Sequence, residues 1–296
     1  MRAAQWDLAG QPLQKRSGRF GVQAGVRMSV NPETVAFAHR LADASGAVIR
    51  PFFRKRIQVI DKGVTGPKPL FDPVTEADRN AEAAIRALIK AERPDDAILG
   101  EEHGYEPGVS GQTWVVDPID GTRAFITGRH TWGTLIALED SGRLSLGIID
   151  QPVLRERFIG YDGKAELITP EGRSPLKTRA CANLSSAVIS TTHPWSYFGR
   201  AQRQAFEEVC ARSRMSYFGG DCYGYALLAM GFIDVIVEGR MAPWDVAALV
   251  PVIENAGGLV TDWQGNPYTN GGMVIAAGDA RVHAQAVEML AGADEA

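Results

Sequence analysis

A short apolar strand that runs directly into two acids is the feature that most restricts how this chain can fold. Trp114-Val115-Val116 leads into Asp117-Pro118-Ile119-Asp120-Gly121-Thr122. Carboxylates delivered to a buried strand end repel one another and rise in pKa unless a cation holds them. A hard divalent cation such as magnesium, which takes oxygen ligands, relieves that conflict. The Pro-Ile-Asp-Gly turn can aim two carboxylates and one backbone carbonyl at a common point. Gly121 then admits a close backbone approach or a left-handed bend, and Thr122 follows at a helix start with a hydroxyl able to orient water.

The rest of the chain supplies more acids at strand ends and helix starts. Apolar positions from Val35 to Phe52 follow helical spacing, and the segment 62–75, rich in Gly and Pro, reads as a loop. Thr75-Glu76-Ala77-Asp78 has the form of a capping box ahead of a strong helix, so Asp72 and Asp78 should bracket a helix start. Glu101 and Glu102 follow a short apolar strand. Four strand-like runs occupy the middle, and the polar segment 166–184 reads as irregular, with a domain boundary inside it. Beyond it strands and helices alternate, with one helix expected from Pro243 through Gly258; this suggests α/β layering. The organisation expected is an extension over 1–28, an N-terminal α+β domain over 29–178 holding most of the acids, and a C-terminal α/β domain over 179–296. Asp245, in the first turn after Pro243-Trp244, reads as a helix cap alone, and as a ligand from the second half when set beside the other acids.

Bulk composition narrows the classes. A net charge of −4 argues against a nucleic-acid surface, and 45% hydrophobic with 22% charged residues is ordinary for a soluble protein. Three cysteines and five histidines show neither a CxxC pair nor zinc spacing. No apolar run reaches the ~18 residues a bilayer demands, and residues 1–28 lack a signal-peptide core. A cytoplasmic protein with no membrane partner is the expectation.

The segments DPVTEAD (72–78), GEE (100–102), DPIDGT (117–122), PWDVAA (243–248) and AGG (256–258) resemble, in order and spacing, the inositol monophosphatase superfamily. The resemblance runs from about residue 33 to the C-terminus. It implies an alternating αβαβα sandwich of the inositol monophosphatase/fructose-bisphosphatase type and a Mg2+-dependent phosphomonoesterase, commonly a homodimer. It implies that Glu101, Asp117 and the Ile119 carbonyl bind one metal and that Asp117, Asp120 and Asp245 bind a second, with Glu101 helping at a third. Thr122 and Asp78 map onto the pair that activates water together with metal. Gly121 and Thr122 map onto the phosphate-binding N–H groups beside a helix start.

The metal motifs do not choose the ester. The surrounding segments, including 219–238 and 191–195, resemble the bacterial histidinol-phosphate phosphatases of the superfamily more than its inositol or nucleotide branches. Arg123 after the DGT motif, Asp221 after a Gly pair and Pro243 before Trp244 depart from the inositol-type pattern. Glu238 lies seven residues before Asp245, where family members contact the non-phosphate part of the substrate. Two carboxylates, Asp221 and Glu238, suit an ammonium and an imidazole better than a neutral polyol. Asp221 is also placed to cap the helix that follows it. Arg123 reads either as a substrate or pocket contact or as a solvated arginine, and Lys68 as a neutraliser of nearby acids. His193 reads either as facing the pocket or as polar surface, Tyr223 and Tyr225 either as stacking on an imidazole or as core, and Cys222 as a small buried hydrophobe. The reading is therefore hydrolysis of L-histidinol phosphate, as in histidine biosynthesis. The alternatives are an inositol-1-phosphate or broad sugar-phosphate phosphatase and, in another class, a non-catalytic metal-binding regulatory relative.

Overall fold

The computed structural model describes residues 29–63, 71–268 and 270–293. The expected extension over 1–28 and Lys68 lie outside the described residues.

In the first half, helix α1 (Pro32–Ile49) starts on an Asn31 cap with proline in its first turn. Strands β1 (Val59–Asp61) and β2 (Pro73–Thr75) pair antiparallel, so the segment read as a loop ends in a two-stranded ribbon. The Thr75 capping box opens α2 (Glu76–Glu92) as the sequence predicts. Then follow β3 (Ala97–Gly100), β4 (Gly104–Glu106), β5 (Gln112–Asp120), the short α3 (Thr122–Ile126), β6 (Gly133–Asp140), β7 (Arg143–Gln151), β8 (Glu156–Tyr161), β9 (Lys164–Thr169) and β10 (Gly172–Pro175). Strands β3 to β10 form one sheet in the order β10-β9-β8-β7-β6-β5-β3-β4. Every pair in it is antiparallel except β3 with β5. The segment read as irregular after residue 166 instead completes the β9–β10 edge hairpin. Its residues are mostly exposed or half-buried, so the apolar alternation that marks a strand is missing.

In the second half come β11 (Val188–Thr191), α4 (Pro194–Tyr197), α5 (Arg200–Arg212), β12 (Met215–Phe218), α6 (Asp221–Ala229), β13 (Val235–Met241), α7 (Pro243–Val246), α8 (Leu249–Asn255), β14 (Leu259–Thr261), β15 (Gly272–Ala277) and α9 (Ala280–Leu290). Strand order in this sheet is β12-β11-β13-β15-β14, parallel among the first three and antiparallel around β15. The single helix expected over 243–258 is two helices, broken at Ala247-Ala248.

Period-two alternation sorts the larger sheet between two cores. Trp114 and Val116 pack with α1 and α2 residues such as Phe37, Leu41 and Ile85. Val115, facing the other way, joins Leu135, Ile149 and Phe158 against Leu228 of α6 and Val252 of α8. That core continues into Ile236, Val274 and Ala276 of the smaller sheet. The far face of the smaller sheet, with Ile189, Val235 and Ile275, is covered by Phe206 and Val209 of α5 and by Val282 and Ala286 of α9. The layers therefore run α-β-α-β-α. Close approach of α8 requires Gly147 and Gly160, where a Cβ would lie 2.1 Å from the Ala248 carbonyl oxygen and 2.2 Å from that of Pro251. The central layer carries α6, α7 and α8 onto the ends of β5 and β13, and the site forms there.

Candidate active site and metal centre

Two strand ends are bent to build the site. In β5, Asp117 pairs with Leu135 but Asp120 pairs with Gly133, so three steps on one strand oppose two on the other. That bulge follows from Pro118, which has no N–H for the ladder. Its carbonyl instead accepts a hydrogen bond from Thr134 Oγ1 at 2.7 Å, and Asp117 Oδ1 accepts one from Ile119 N at 3.0 Å. Strand β13 has the same irregularity between Glu238 and Met241. Asp245 reaches the site from the first turn of α7, where its Oδ2 accepts from Ala242 N at 2.7 Å.

Carboxylate oxygens of Asp117, Asp120 and Asp245 all lie within 4.8 Å of one another. Burial, then Glu101, Asp120 and Asp245, push Asp117 well above the usual carboxylate range; burial, then Asp120 and Glu101, do the same to Asp245. Burial and Asp221 raise Asp120 to about 7. Glu101 stands at the edge of the cluster, beside Asp117 and paired with Lys62 Nζ at 2.8 Å. Lys62 also meets Glu102 at 2.9 Å. An all-oxygen donor set with this charge and burial fits a hard divalent cation. Nearby, the buried Tyr225 hydroxyl has no hydrogen-bond partner among the described residues, and the acids Glu238, Asp120 and Asp245 surround it.

Asp78 sits in the third position of α2, 1% exposed, and burial raises it to about 6. Its Oδ2 takes the capping bonds from Thr75 N at 2.9 Å and Thr75 Oγ1 at 2.5 Å. Its Oδ1 faces Thr122 Oγ1 at 3.4 Å, and the same hydroxyl lies 3.1 Å from the Ile119 carbonyl oxygen. Gly121 caps α3 at φ 84°, in the left-handed region; a Cβ there would lie 2.9 Å from that of Asp221.

Glu101, Asp117, Asp120, Thr122, Tyr225 and Asp245 line a cavity of about 430 Å³ shared with Arg123, Tyr197, Asp221, Glu238 and Trp244. Asp221 is itself at φ 43°, an uncommon backbone for a non-glycine residue. It begins α6 but does not cap it: its Oδ2 accepts from Thr131 Oγ1 at 2.8 Å, and Asp120 Oδ2 takes the Cys222 N–H at 2.8 Å. Glu238 accepts from Thr192 N at 2.6 Å and Thr191 Oγ1 at 3.2 Å, and burial raises it to about 8. Arg123 lies over the Tyr197 ring, 5.3 Å from its centroid, and donates to the Phe71 carbonyl.

Residues 31–293 match the inositol monophosphatase family model. This chain belongs to the inositol monophosphatase family. It is 43% identical over 266 residues to the chloroplastic bifunctional phosphatase IMPL2 of Arabidopsis thaliana, covering 86% of this chain and 74% of the relative. It is 37% identical over 229 residues to a histidinol-phosphatase of Chlorobaculum parvum, covering 77% and 85%. The solved structure of an inositol monophosphatase from Zymomonas mobilis superposes with a TM-score of 0.78 at 42% identity, covering 89% of this chain and all of the other. The chain is thus a phosphatase of the inositol monophosphatase type, a metal-dependent family of phosphoric monoester hydrolases. No helix among the described residues is long and apolar enough to cross a membrane.

Within this family framework, the residues nominated from sequence divide. Asp117, Asp120 and Asp245 form the tight acid cluster, with Glu101, Ile119, Gly121, Thr122, Arg123, Asp221 and Glu238 on the same cavity and Asp78 behind Thr122. His193 is exposed and caps α4, accepting from Ser196 N at 3.1 Å, and is not among the cavity-lining residues. Tyr223 is half-buried and packs against the core, with its hydroxyl on Glu156 at 2.5 Å. Three contributors escaped the sequence reading: Lys62 on the Glu101–Glu102 pair, Thr131 on Asp221, and Tyr197 under Arg123. Lys62 follows Asp61 on the β1–β2 ribbon, and only that pairing, invisible in a Gly-Pro-rich segment, brings it to the acids.

Proposed function

We propose that this chain is a Mg2+-dependent phosphomonoesterase that hydrolyses L-histidinol phosphate to L-histidinol and phosphate. Asp117, Asp120, Asp245, the Ile119 carbonyl and Glu101 would hold the metal. When bound, divalent cations neutralise phosphate charge and make water a better nucleophile in an in-line displacement. The chain's own part begins with Thr122, whose single hydroxyl proton has two acceptors, Asp78 Oδ1 and the Ile119 carbonyl. Donating to Asp78, the hydroxyl turns a lone pair toward the cavity and orients an attacking water. Asp78, raised to about 6, is a proton acceptor matched to near-neutral pH. The N–H groups of Gly121 and Thr122, where β5 gives way to α3, would meet phosphate oxygens, a reading supported by their position on the cavity.

One observation carries the substrate choice: the cavity holds two further acids, the half-buried Asp221 and the buried Glu238, beyond the metal-type cluster. Asp221 keeps an uncommon backbone there with Thr131 as its hydrogen-bond donor. A cationic ligand would return Glu238 from about 8 toward its charged form, so charge on the substrate is rewarded. The histidinol-phosphatase relative supports this reading. A second reading, an inositol-1-phosphate or broad sugar-phosphate phosphatase, draws on the Zymomonas mobilis structure at 42% identity. Steady-state phosphate release decides between them. The proposal expects the higher kcat/KM on L-histidinol phosphate, and a higher value on inositol 1-phosphate would reverse it. Asp221→Asn is expected to lose roughly tenfold on L-histidinol phosphate and little on an uncharged ester. Equal losses on both would remove Asp221 from recognition.

A further inference from the structure

Helix α2 sends two acids one turn apart toward the site. Asp78 meets Thr122, and Glu82, four residues on, has no place in the chemistry above. It is fully buried, yet its carboxylate is crowded with donors: Glu102 N at 2.7 Å and His103 N at 3.2 Å on the backbone, and Arg86 Nε at 2.7 Å. His103 Nδ1 lies 3.3 Å away. Arg86, one turn further along α2, donates to the Gly104 carbonyl and meets Glu106 Oε2 at 3.3 Å. The Glu82–Arg86 pair therefore grips both ends of the turn at residues 102–106, directly after Glu101. Gly100 belongs to the same device: a Cβ there would sit 2.1 Å from Glu82 Oε1, so only glycine lets β3 pass over the carboxylate.

We propose that Glu82 is a positioning residue for the metal centre, holding the backbone of the Glu101–Glu102 turn so that Glu101 faces Asp117. This rests on the metal-dependent reading above. Physical necessity points the same way. Glu101 stands among like charges, with Asp117, Asp120 and Asp245 close by, and repulsion would swing a loosely held acid into solvent. Lys62 restrains its tip from one side; Glu82 fixes its root from the other. A buried carboxylate is costly for a fold that needs only packing, and Arg86 offsets that cost with an i,i+4 ion pair. Outer groups of this kind typically change metal affinity ten- to a hundredfold when altered.

Glu82→Gln keeps the shape but places an NH2 against one of three donors. The expected result is about a tenfold weaker affinity for Mn2+, measured by equilibrium dialysis without substrate, and an equal rise in the Mg2+ concentration for half-maximal phosphate release. kcat at saturating Mg2+ is expected to stay within about threefold of the wild type. Glu82→Asp, shorter but charged, should recover part of the affinity and serves in its place if the glutamine variant does not fold. Asp150→Asn, which breaks the buried Asp150–Arg157 pair outside the cavity lining, is the stability control: a lower Tm with unchanged Mn2+ affinity. If Glu82→Gln and Glu82→Asp lose Tm like that control and bind Mn2+ as the wild type does, Glu82 only stabilises the fold and the inference is overturned. Wild-type protein that binds no Mn2+ would instead overturn the metal-dependent reading, and this inference with it.

Discussion

Asp117 and Asp150 lie two strands apart in the same sheet, 1% and 4% exposed, and are surrounded in opposite ways. Asp150 accepts from Arg157 Nε at 2.6 Å, and that guanidinium also reaches Asp43 at 2.8 Å. Burial raises Asp150, and Arg157 pulls it back. Around Asp117 the nearest charges are Glu101, Asp120 and Asp245, and every one of them raises it further. Asp234 with Arg179 repeats the compensated pattern elsewhere. In both of these pairs a buried acid that serves the fold is met by a cation of the chain. Among the described residues, the cations nearest the mouth of β5 are Lys62 at the edge and Arg123, which turns to the Phe71 carbonyl and the Tyr197 ring, so a compensating charge from outside fits the cluster.

Exchanging each acid for its amide should separate the two classes. Asp117→Asn is expected to lower kcat/KM by roughly a thousandfold or more while raising the Tm of EDTA-treated protein, because a repulsive charge is gone. Asp150→Asn should leave turnover near wild type and cost about 3 kcal/mol of stability, because Arg157 loses its buried partner and keeps only the exposed Asp43. Kinetics and thermal melts on both variants read the contrast; a destabilised, active Asp117→Asn would erase it. Next in size, Thr122→Ala removes the hydroxyl between Asp78 and the cavity and should cost about a hundredfold in kcat with Mn2+ affinity retained. Loss of affinity instead would make Thr122 part of the metal site.

The smallest effect is a pH dependence that only the uncompensated acids should show. Asp120, ordinarily near 3.8, rises to about 7 in the fold. A group raised on folding contributes stability that is complete below its unfolded value and lost as pH climbs through its folded value. The Tm of EDTA-treated protein should therefore fall between pH 4 and 8. Saturating Mg2+ should reverse most of the fall, by about 5 °C near pH 8, and do little near pH 4, where protons hold the acids. A metal effect independent of pH would contradict this.

Much of this contrast could be read before any coordinates. Two acids after an apolar strand, a proline between them and a glycine behind announce a site because packing alone gives no reason for them. The Thr75–Asp78 box was legible because capping is local. Long-range arrangement was not. Lys62 reaches Glu101 only through a ribbon whose strands are three residues each, and Glu82 looks like any helix acid until Gly100 is found lying over it. The β9–β10 hairpin was hidden because an edge pair with exposed faces carries no apolar alternation. The break at Ala247-Ala248 was hidden because neither residue disfavours helix; seating Asp245 in α7 and α8 against Gly147 is a tertiary demand.

The central claim is that Asp117, Asp120 and Asp245, with Glu101, form a divalent-cation centre. Equilibrium dialysis of the EDTA-treated protein against Mn2+ at pH 7.5, wild type beside Asp117→Asn, measures it directly. At least two ions bound per wild-type chain, with at least one lost in the variant, is the result predicted. Equal binding by both proteins, or none by either, would contradict it.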